Sequence, residues 1–346
     1  MSTSSRWKAP EIKMLFQSDT KVFDITELVS GIQYTTDLKG QPGKLTFNLE
    51  QDPKGEITMT NGSLIKLYVN GKGIFFGYVF TMGTDATGIY KITAYDQMRY
   101  LKNEDSMYIE GITASQMFSL ICTQHELRHR VVTPTTFIVP EYNFEGKQLY
   151  AMLEHGIQHT NVSYDQRNRH HFIRDDFGTL LFTDLTQYMT NLAIGDESLL
   201  TSYQYEISID KDTYNTIKVT RDNESTGKRD VWMTVDSNNI KRWGRLQKVT
   251  KADKSWNEAM IQKLAFDLIR LHDSESQTMK LNALGVMDIV AGTMFTLQLK
   301  KLNINQMMWV TSATHTFDSD FHTMALDVYI AEDIKSLAEV MEGWVG

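Results

Sequence analysis

Leu64-Ile-Lys-Leu-Tyr-Val69, Asn70-Gly71 and Ile74-Phe-Phe-Gly-Tyr-Val-Phe80 follow one another along the chain, and their reading decides the fold. Two runs rich in aliphatic and aromatic residues flank a dipeptide whose members both tolerate positive φ, which is the signal of a tight hairpin. A second such dipeptide, Asn61-Gly62, precedes the first run. Upstream, Leu45, Phe47 and Leu49 alternate with Lys44, Thr46, Asn48 and Glu50, the period of two expected of a half-buried strand. Downstream, Ile89 to Tyr95 closes the block. Short strands punctuated by turn residues at this spacing predict an antiparallel barrel or sandwich.

From about Gly111 the period changes. Ser115 to Leu127 and Gly146 to His159 carry apolar residues three and four apart, as amphipathic helices do. Phe172-Ile-Arg-Asp-Asp-Phe-Gly-Thr-Leu-Leu-Phe182 then reads as two strands joined by an Asp-rich turn, which completes a small α+β insert. Strands return near Tyr203, with Asp222 to Asp230 as a polar hairpin tip. A helix is expected over 255–273, opened by the capping box Ser255-Trp-Asn-Glu258 and striped by Trp256, Met260, Leu264, Leu268 and Leu271, flanked by Ile261 and Ala265. A last helix over 331–346 places Ile334, Leu337, Ala338, Met341 and Val345 on one face, with Trp344 near its end.

Gly62-Ser-Leu-Ile-Lys-Leu67 is matched by Gly292-Thr-Met-Phe-Thr-Leu297, 230 positions later. Ala94-Tyr-Asp96 is matched by Ala325-Leu-Asp327, 231 positions later. The shared offset points to a duplicated β-domain, although short matches also arise by chance in strand-rich chains.

The 346 residues are 41% apolar and 23% charged, with a formal net charge of −8, 5 Pro and 1 Cys. This is the composition of an ordinary globular chain of two or three domains. A single cysteine excludes an internal disulfide framework, and no apolar run nears the roughly 20 residues of a membrane span. The opening Met1-Ser-Thr-Ser-Ser-Arg-Trp7 lacks a signal-peptide core, so synthesis in a reducing cytosol is expected. The acidity speaks against wrapping nucleic acid, which needs clustered Lys and Arg.

Chemistry is sparse. His155-Gly-Ile-Gln-His159 could offer two zinc ligands one helical turn apart, with a third from His170, His171, Asp175 or Asp176. A zincin, however, places its Glu directly after the first His, and here Glu154 precedes it. Cys122 and His125 could pair as nucleophile and base, yet Phe118-Ser-Leu-Ile-Cys122 is apolar and reads as core. Asp175-Asp176 could do acid–base work, but Phe177-Gly178 after them fits a hairpin turn better. Lys241 to Lys254 holds six basic residues around Trp243, and a solvated edge or charged contact is a plainer reading than nucleic acid. No catalytic residue, metal or cofactor is expected.

Phe75-Phe-Gly-Tyr-Val-Phe80 and Ile92-Thr-Ala-Tyr-Asp-Gln-Met-Arg-Tyr-Leu-Lys-Asn-Glu-Asp105 resemble the XkdQ-type hub family of contractile phage tails, defective prophages and R-type bacteriocins. Further similar stretches are Ile173 to Leu180, Arg242-Trp-Gly-Arg-Leu-Gln247, Trp309 to Phe317 and His322 to Leu326. The resemblance implies a mainly β fold with an α+β insertion: a first tube-like antiparallel barrel over 1–105, an α+β domain over 106–202, a second barrel over 203–330 and a terminal helix over 331–346. It further implies a non-enzymatic homotrimeric ring that adapts the hexameric tail tube to the trimeric central spike. Closed rings of that kind are built from repeated heterologous contacts. Other implied neighbours are LysM-type or wedge baseplate proteins, with DNA at most as cargo in the lumen, whose acidic lining would repel phosphates. Assembly would occur in the bacterial cytoplasm, and the product would be part of the tail or tail-like particle. A cell-wall hydrolase and a glycan-binding tail-tip component are the alternatives. The terminal helix either packs on its own domain or docks in a partner's groove. The residues that would make such a partner contact are Ile334, Leu337, Ala338, Met341 and Trp344.

Overall fold

A computed structural model describes residues 9–18, 21–53, 55–163, 170–210, 212–223, 227–252, 257–318 and 321–330. The terminal helix expected over 331–346 lies outside them, with Ile334, Leu337, Ala338, Met341 and Trp344; so do Ser255 and Trp256.

The first module comprises β1 (Ile12–Ser18), β2 (Lys21–Asp24), β3 (Val29–Asp37), β4 (Lys44–Leu49), β5 (Leu64–Val69), β6 (Lys72–Thr84) and β7 (Tyr90–Tyr95). Apart from β2 at its edge, the strands lie in the order β1-β5-β6-β7-β4-β3. Period-two patterning turns Phe16, Tyr34, Leu45, Phe47, Ile65, Leu67, Phe75, Val79 and Ile92 into one buried cluster. A sheet whose strands all feed a single cluster must curl around it.

The insert follows: β8 (Glu104–Ile109), α1 (Ala114–Gln124), β9 (His129–Val131), β10 (Tyr142–Gln148), α2 (Leu149–Ser163), β11 (His171–Asp176) and β12 (Thr179–Asp184). Thr113 caps α1 in a reciprocal capping box with Gln116. Met117, Phe118 and Ile121 of α1 and Leu149, Met152 and Leu153 of α2 share a core with Leu180 and Phe182.

The second module contains β13 (Met189–Gly195) and β14 (Leu200–Ser208) and, after an interruption, four further strands. The interruption is β15 (Thr216–Asn223), β16 (Lys228–Val235), α3 (Ser237–Trp243), β17 (Gln247–Lys251) and α4 (Glu258–His272). The module resumes with β18 (Ser276–Leu284), β19 (Met294–Leu299), β20 (Ile304–Phe317) and β21 (His322–Ile330). Its strand order, β13-β19-β20-β21-β18-β14, repeats that of the first module position for position, except that β13 runs parallel to β19 whereas β1 is antiparallel to β5.

Backbone hydrogen bonds make the duplication concrete. Gly62 N donates to Val79 O (2.7 Å) and Val79 N to Ser63 O (2.9 Å); Gly292 N donates to Val310 O (2.9 Å) and Val310 N to Thr293 O (3.0 Å). Ser63 Oγ accepts from Thr60 N at 3.1 Å, as Thr293 Oγ1 does from Val290 N at 3.2 Å. Both glycines sit at positive φ, 86° and 91°, which explains why Gly survives in both copies. The offset of 230 is therefore a conserved turn and not a coincidence of composition.

The described residues form two compact units. One compact unit holds the residues up to Gln204 together with those from Lys280, and the other is Tyr205–Met279. Where the sequence ran one β-domain over 203–330, residues 205–279 carry their own core of Ile217, Val219, Ile261, Ala265 and Ile269. The second module also begins earlier, at β13. In α4 the cap is Asn257, whose side chain accepts from Met260 N, and Glu258 opens the helix instead of closing a capping box. Its buried stripe runs along the flank of the expected one: Ile261, Ala265 and Ile269 face inward, Leu264 and Leu268 are half-buried against the same core, and Met260 is 46% exposed.

Candidate functional site

The first unit holds its three parts together at two polar seams. The first is made where β7 ends. Asp96 leaves the strand in extended conformation and caps the 3-10 turn Gln97–Lys102 by accepting from Met98 N at 3.0 Å. Its other carboxylate oxygen accepts from Gly43 N at 2.9 Å, and its own N–H donates to Gly43 O at 3.0 Å. A Cβ at residue 43 would lie 2.2 Å from Asp96 Oδ2, so glycine is required there. Around this clamp lies a small cavity whose lining includes Tyr34, Asp37, Asp96, Arg174 and Asp175.

Asp175 comes from the β11–β12 hairpin, whose turn places Phe177 and Gly178 at φ 48° and 87°. Its carboxylate accepts from Gly178 N at 2.9 Å. Burial, followed by the Asp175 charge, holds Asp96 well above the usual carboxylate range, and burial pushes Asp175 up to about 7. Arg174, stacked 4.8 Å over the Tyr188 ring, favours the ionised form of both acids. Beside them Phe177 sets its edge on Tyr68 and Phe76, and Arg128 lies 5.0 Å over Phe76. Added Cβ atoms at Gly73 and Gly178 would come within 2.7 Å of Phe177 and 2.5 Å of Phe76. The hairpin tip thus keys into the outer face of β5 and β6.

The second seam joins the modules. β3 pairs antiparallel with β20, so the two repeats share one sheet. Thr35 and Thr314 hydroxyls meet at 3.0 Å, Ser312 Oγ donates to Thr36 O at 3.2 Å, and Ala291 N donates to Thr36 Oγ1 at 2.9 Å. Trp309 of β20 is 1% exposed and lies against the His170 ring of the insert, with centroids 6.1 Å apart.

The residues singled out for chemistry do not assemble into a reactive constellation. His155 and His159 meet edge to face with ring centroids 4.5 Å apart, and Tyr142 and Phe144 lie on His155. Burial and His159 push His155 down to about 4. His171 is held by Asn161, and Asp175 by its hairpin turn, so neither completes the pair; among the described residues no group of three or more His, Cys, Asp or Glu gathers to hold a metal. His125 ends α1 and faces Asp105 at 3.2 Å. The basic run disperses: Lys248 approaches His272 under α4, Lys251 pairs with Asp222, and Arg242 with Glu275.

Cys122 is free and fully buried, and burial pushes its thiol up to about 12. At pH 8 roughly one part in ten thousand is thiolate. A disulfide reagent should therefore leave the native chain unlabelled for hours and react with one thiol per chain on addition of denaturant. Rapid native labelling would contradict the placement of Cys122 in the insert core.

The sequence singled out Asp175 but not its companion Asp96, although an Asp two residues before a turn amide is a recognisable cap signal. Arg174 and Trp309 carry no local signal, since their roles depend on contacts distant in sequence.

The YQBQ-like family model matches residues 32–329. The fold is similar to that of the 43 kDa tail protein of prophage MuSo2 from Shewanella oneidensis, with TM-score 0.70 and 12% identity over 94% of this chain and 99% of that one. It is also similar to a tail protein from Neisseria meningitidis, with TM-score 0.66 and 13% identity over 92% and 96% of the two chains. A prophage tail protein from Listeria monocytogenes shares it with TM-score 0.57 and 14% identity over 96% and 100%. No curated protein matches the sequence.

Proposed function

The chain belongs to the YQBQ-like family, and from that premise we propose that it is a structural hub of a contractile tail or tail-like particle. In this reading it is a homotrimeric ring that adapts the sixfold tail tube to the threefold central spike. The observation that carries it is the duplicated module, with one strand order and one turn geometry used twice. Three chains with two such modules present six similar surfaces on one side and threefold symmetry on the other. Rings close only when the heterologous contact repeats with a constant rotation. The β3–β20 seam supplies the contact between modules within a chain, and a related contact between chains completes the ring. Tail tube protein, central spike and LysM-type or wedge proteins are the proposed neighbours, met after assembly in the bacterial cytoplasm. DNA would pass through the lumen only as cargo. Its work is mechanical, and no reaction is assigned to it.

Native mass measurement tests this directly. The 39.8 kDa chain should give a trimer, alone or on adding the spike protein, and a ring of six similar lobes in projection. Monomers that join neither tube nor spike at micromolar concentration would sink the proposal.

A further inference from the structure

The two modules carry the same bulge, and only one of the two bulged strands is flanked on both sides. β20 breaks register with β21 between Val310 and Ser312, and β6 breaks register with β7 between Val79 and Thr81, 231 positions earlier. Beyond its bulge, β20 pairs with β21 on one side and with Ile32–Asp37 of β3 on the other. Beyond the bulge of β6, Thr81–Thr84 pairs with β7, and β5 goes no further than Tyr78. Among the described residues no strand takes the second side. Ala313 and His315 are buried, whereas their counterparts Met82 and Thr84 are half-buried and exposed. A Cβ at Gly83 would meet nothing within 4 Å, while Thr314 at the same place meets Thr35.

The counterpart of β3 is β14. In the first module Gly83 lies opposite Lys91, Lys91 opposite Asn48, and Asn48 opposite Ser30 of β3. In the second, Thr314 lies opposite Ala325. Gly285 N donates to His322 O at 2.8 Å, the antiparallel register that sets Asn282 against Ala325. Asn282 Nδ2 in turn donates to Ser202 Oγ of β14 at 2.9 Å. A serine–asparagine pair thus stands at the same place in both modules. The outer edge of β3 is covered by β20, whereas that of β14 borders no other described strand, and no residue of β14 is buried. An uncovered edge presents unpaired N–H and C=O groups, which monomeric proteins blunt with Lys, Pro or a covering element. Neither Thr81–Thr84 nor β14 contains Lys, Arg or Pro.

We infer that β14 of one copy pairs antiparallel with Thr81–Thr84 of β6 in the next copy, so that the contact between chains repeats the β3–β20 seam within one chain. This rests on the trimeric ring proposed above and names the strands that close it. Adding a strand to an exposed edge supplies main-chain hydrogen bonds, and the same rotation applied at every seam closes the ring. The register carries over. Tyr34, opposite His315, lies three ladder steps from Ser30 counted along β4. Three residues beyond Ser202 is Tyr205, which therefore meets Thr84, the counterpart of His315.

The test uses the full chain, in which buried Cys122 takes no part. Thr84→Cys is combined in turn with Tyr205→Cys and with Gln204→Cys, which project to opposite faces of β14. The oligomer is treated with a short bismaleimide and run on a denaturing gel. At least one pair should give covalent dimers and trimers, and the three single variants should give neither. Amide exchange on the unsubstituted chain supplies a readout that no variant can spoil by misfolding. Peptides carrying Thr81–Thr84 and β14 should exchange roughly tenfold more slowly or less in the ring than in the dilute chain. A folded trimer bridged at neither pair, or one whose two segments exchange as in the dilute chain, would overturn this contact and leave the hub reading standing. Bridges confined to single chains would also overturn it. Monomers that persist with the spike protein present would remove both readings together.

Discussion

Replacing Trp309 with alanine is expected to destabilise the first unit by about 4 kcal/mol, while Trp309→Phe stays within about 1.5 kcal/mol. Trp309 is the largest fully buried side chain among the described residues, and three consecutive residues of β20, Met308 to Val310, are buried because module and insert cover opposite faces there. Truncation to Cβ opens a void between rigid strands that cannot close on it, so the loss of apolar burial and the cavity add. The indole Nε1 has no hydrogen-bond partner among the described residues, so phenylalanine orphans nothing when it removes that donor. With a urea dependence of roughly 3 kcal/mol per molar, the alanine variant should unfold roughly 1 M earlier. Equal midpoints for Ala and Phe would show that β20 is not the buried strand between module and insert described above.

The β-modules were legible because their turns impose residue types. Asn70-Gly71 and the repeated Gly62 and Gly292 turns need positive φ, and that need survives in sequence. The insert was legible for a similar reason, since α1 and α2 keep helical spacing and Asp175 to Gly178 spell a hairpin. The second unit was not legible as a separate unit. Its β15–β16 hairpin has the strand pattern of a module, and α4 carries apolar residues beyond its inward face, Met260 and Phe266 among them exposed, so periodicity alone could not select that face. The Asp96–Asp175 junction was hidden in a different way. Two acids 79 positions apart carry no local sign that folding will bury them together, and each has a sufficient local explanation as a cap or a turn residue.

Acidification should reveal two buried pairs of opposite sign. His315 Nε2 donates to the Ile289 carbonyl at 2.8 Å, which leaves Nδ1 to accept from His322 Nε2 at 2.9 Å. Burial pushes both histidines from 6.5 down to about 4. Between those values the unfolded chain binds more protons than the folded one, so this stability is complete above pH 6.5 and is lost as pH falls toward 4. His315 alone accounts for about 3 kcal/mol across the window. Asp175 acts oppositely: raised from 3.8 to about 7, it binds its proton more tightly in the folded chain, and stability is lost as pH rises from about 4 to about 7. The two slopes overlap, so the wild-type profile should be flatter than either contribution. Differences from wild type at each pH separate them, because titrating groups far from the substitution cancel. His315→Gln should be most destabilised at pH 7 and recover about 3 kcal/mol relative to wild type by pH 4. Asp175→Asn should gain on wild type steadily from pH 4 to 7 and level off above it. If either difference is independent of pH, the corresponding pair is not buried as described. If both are, the two modules meet the insert and each other through looser, wetter seams than Asp96 and His315 indicate.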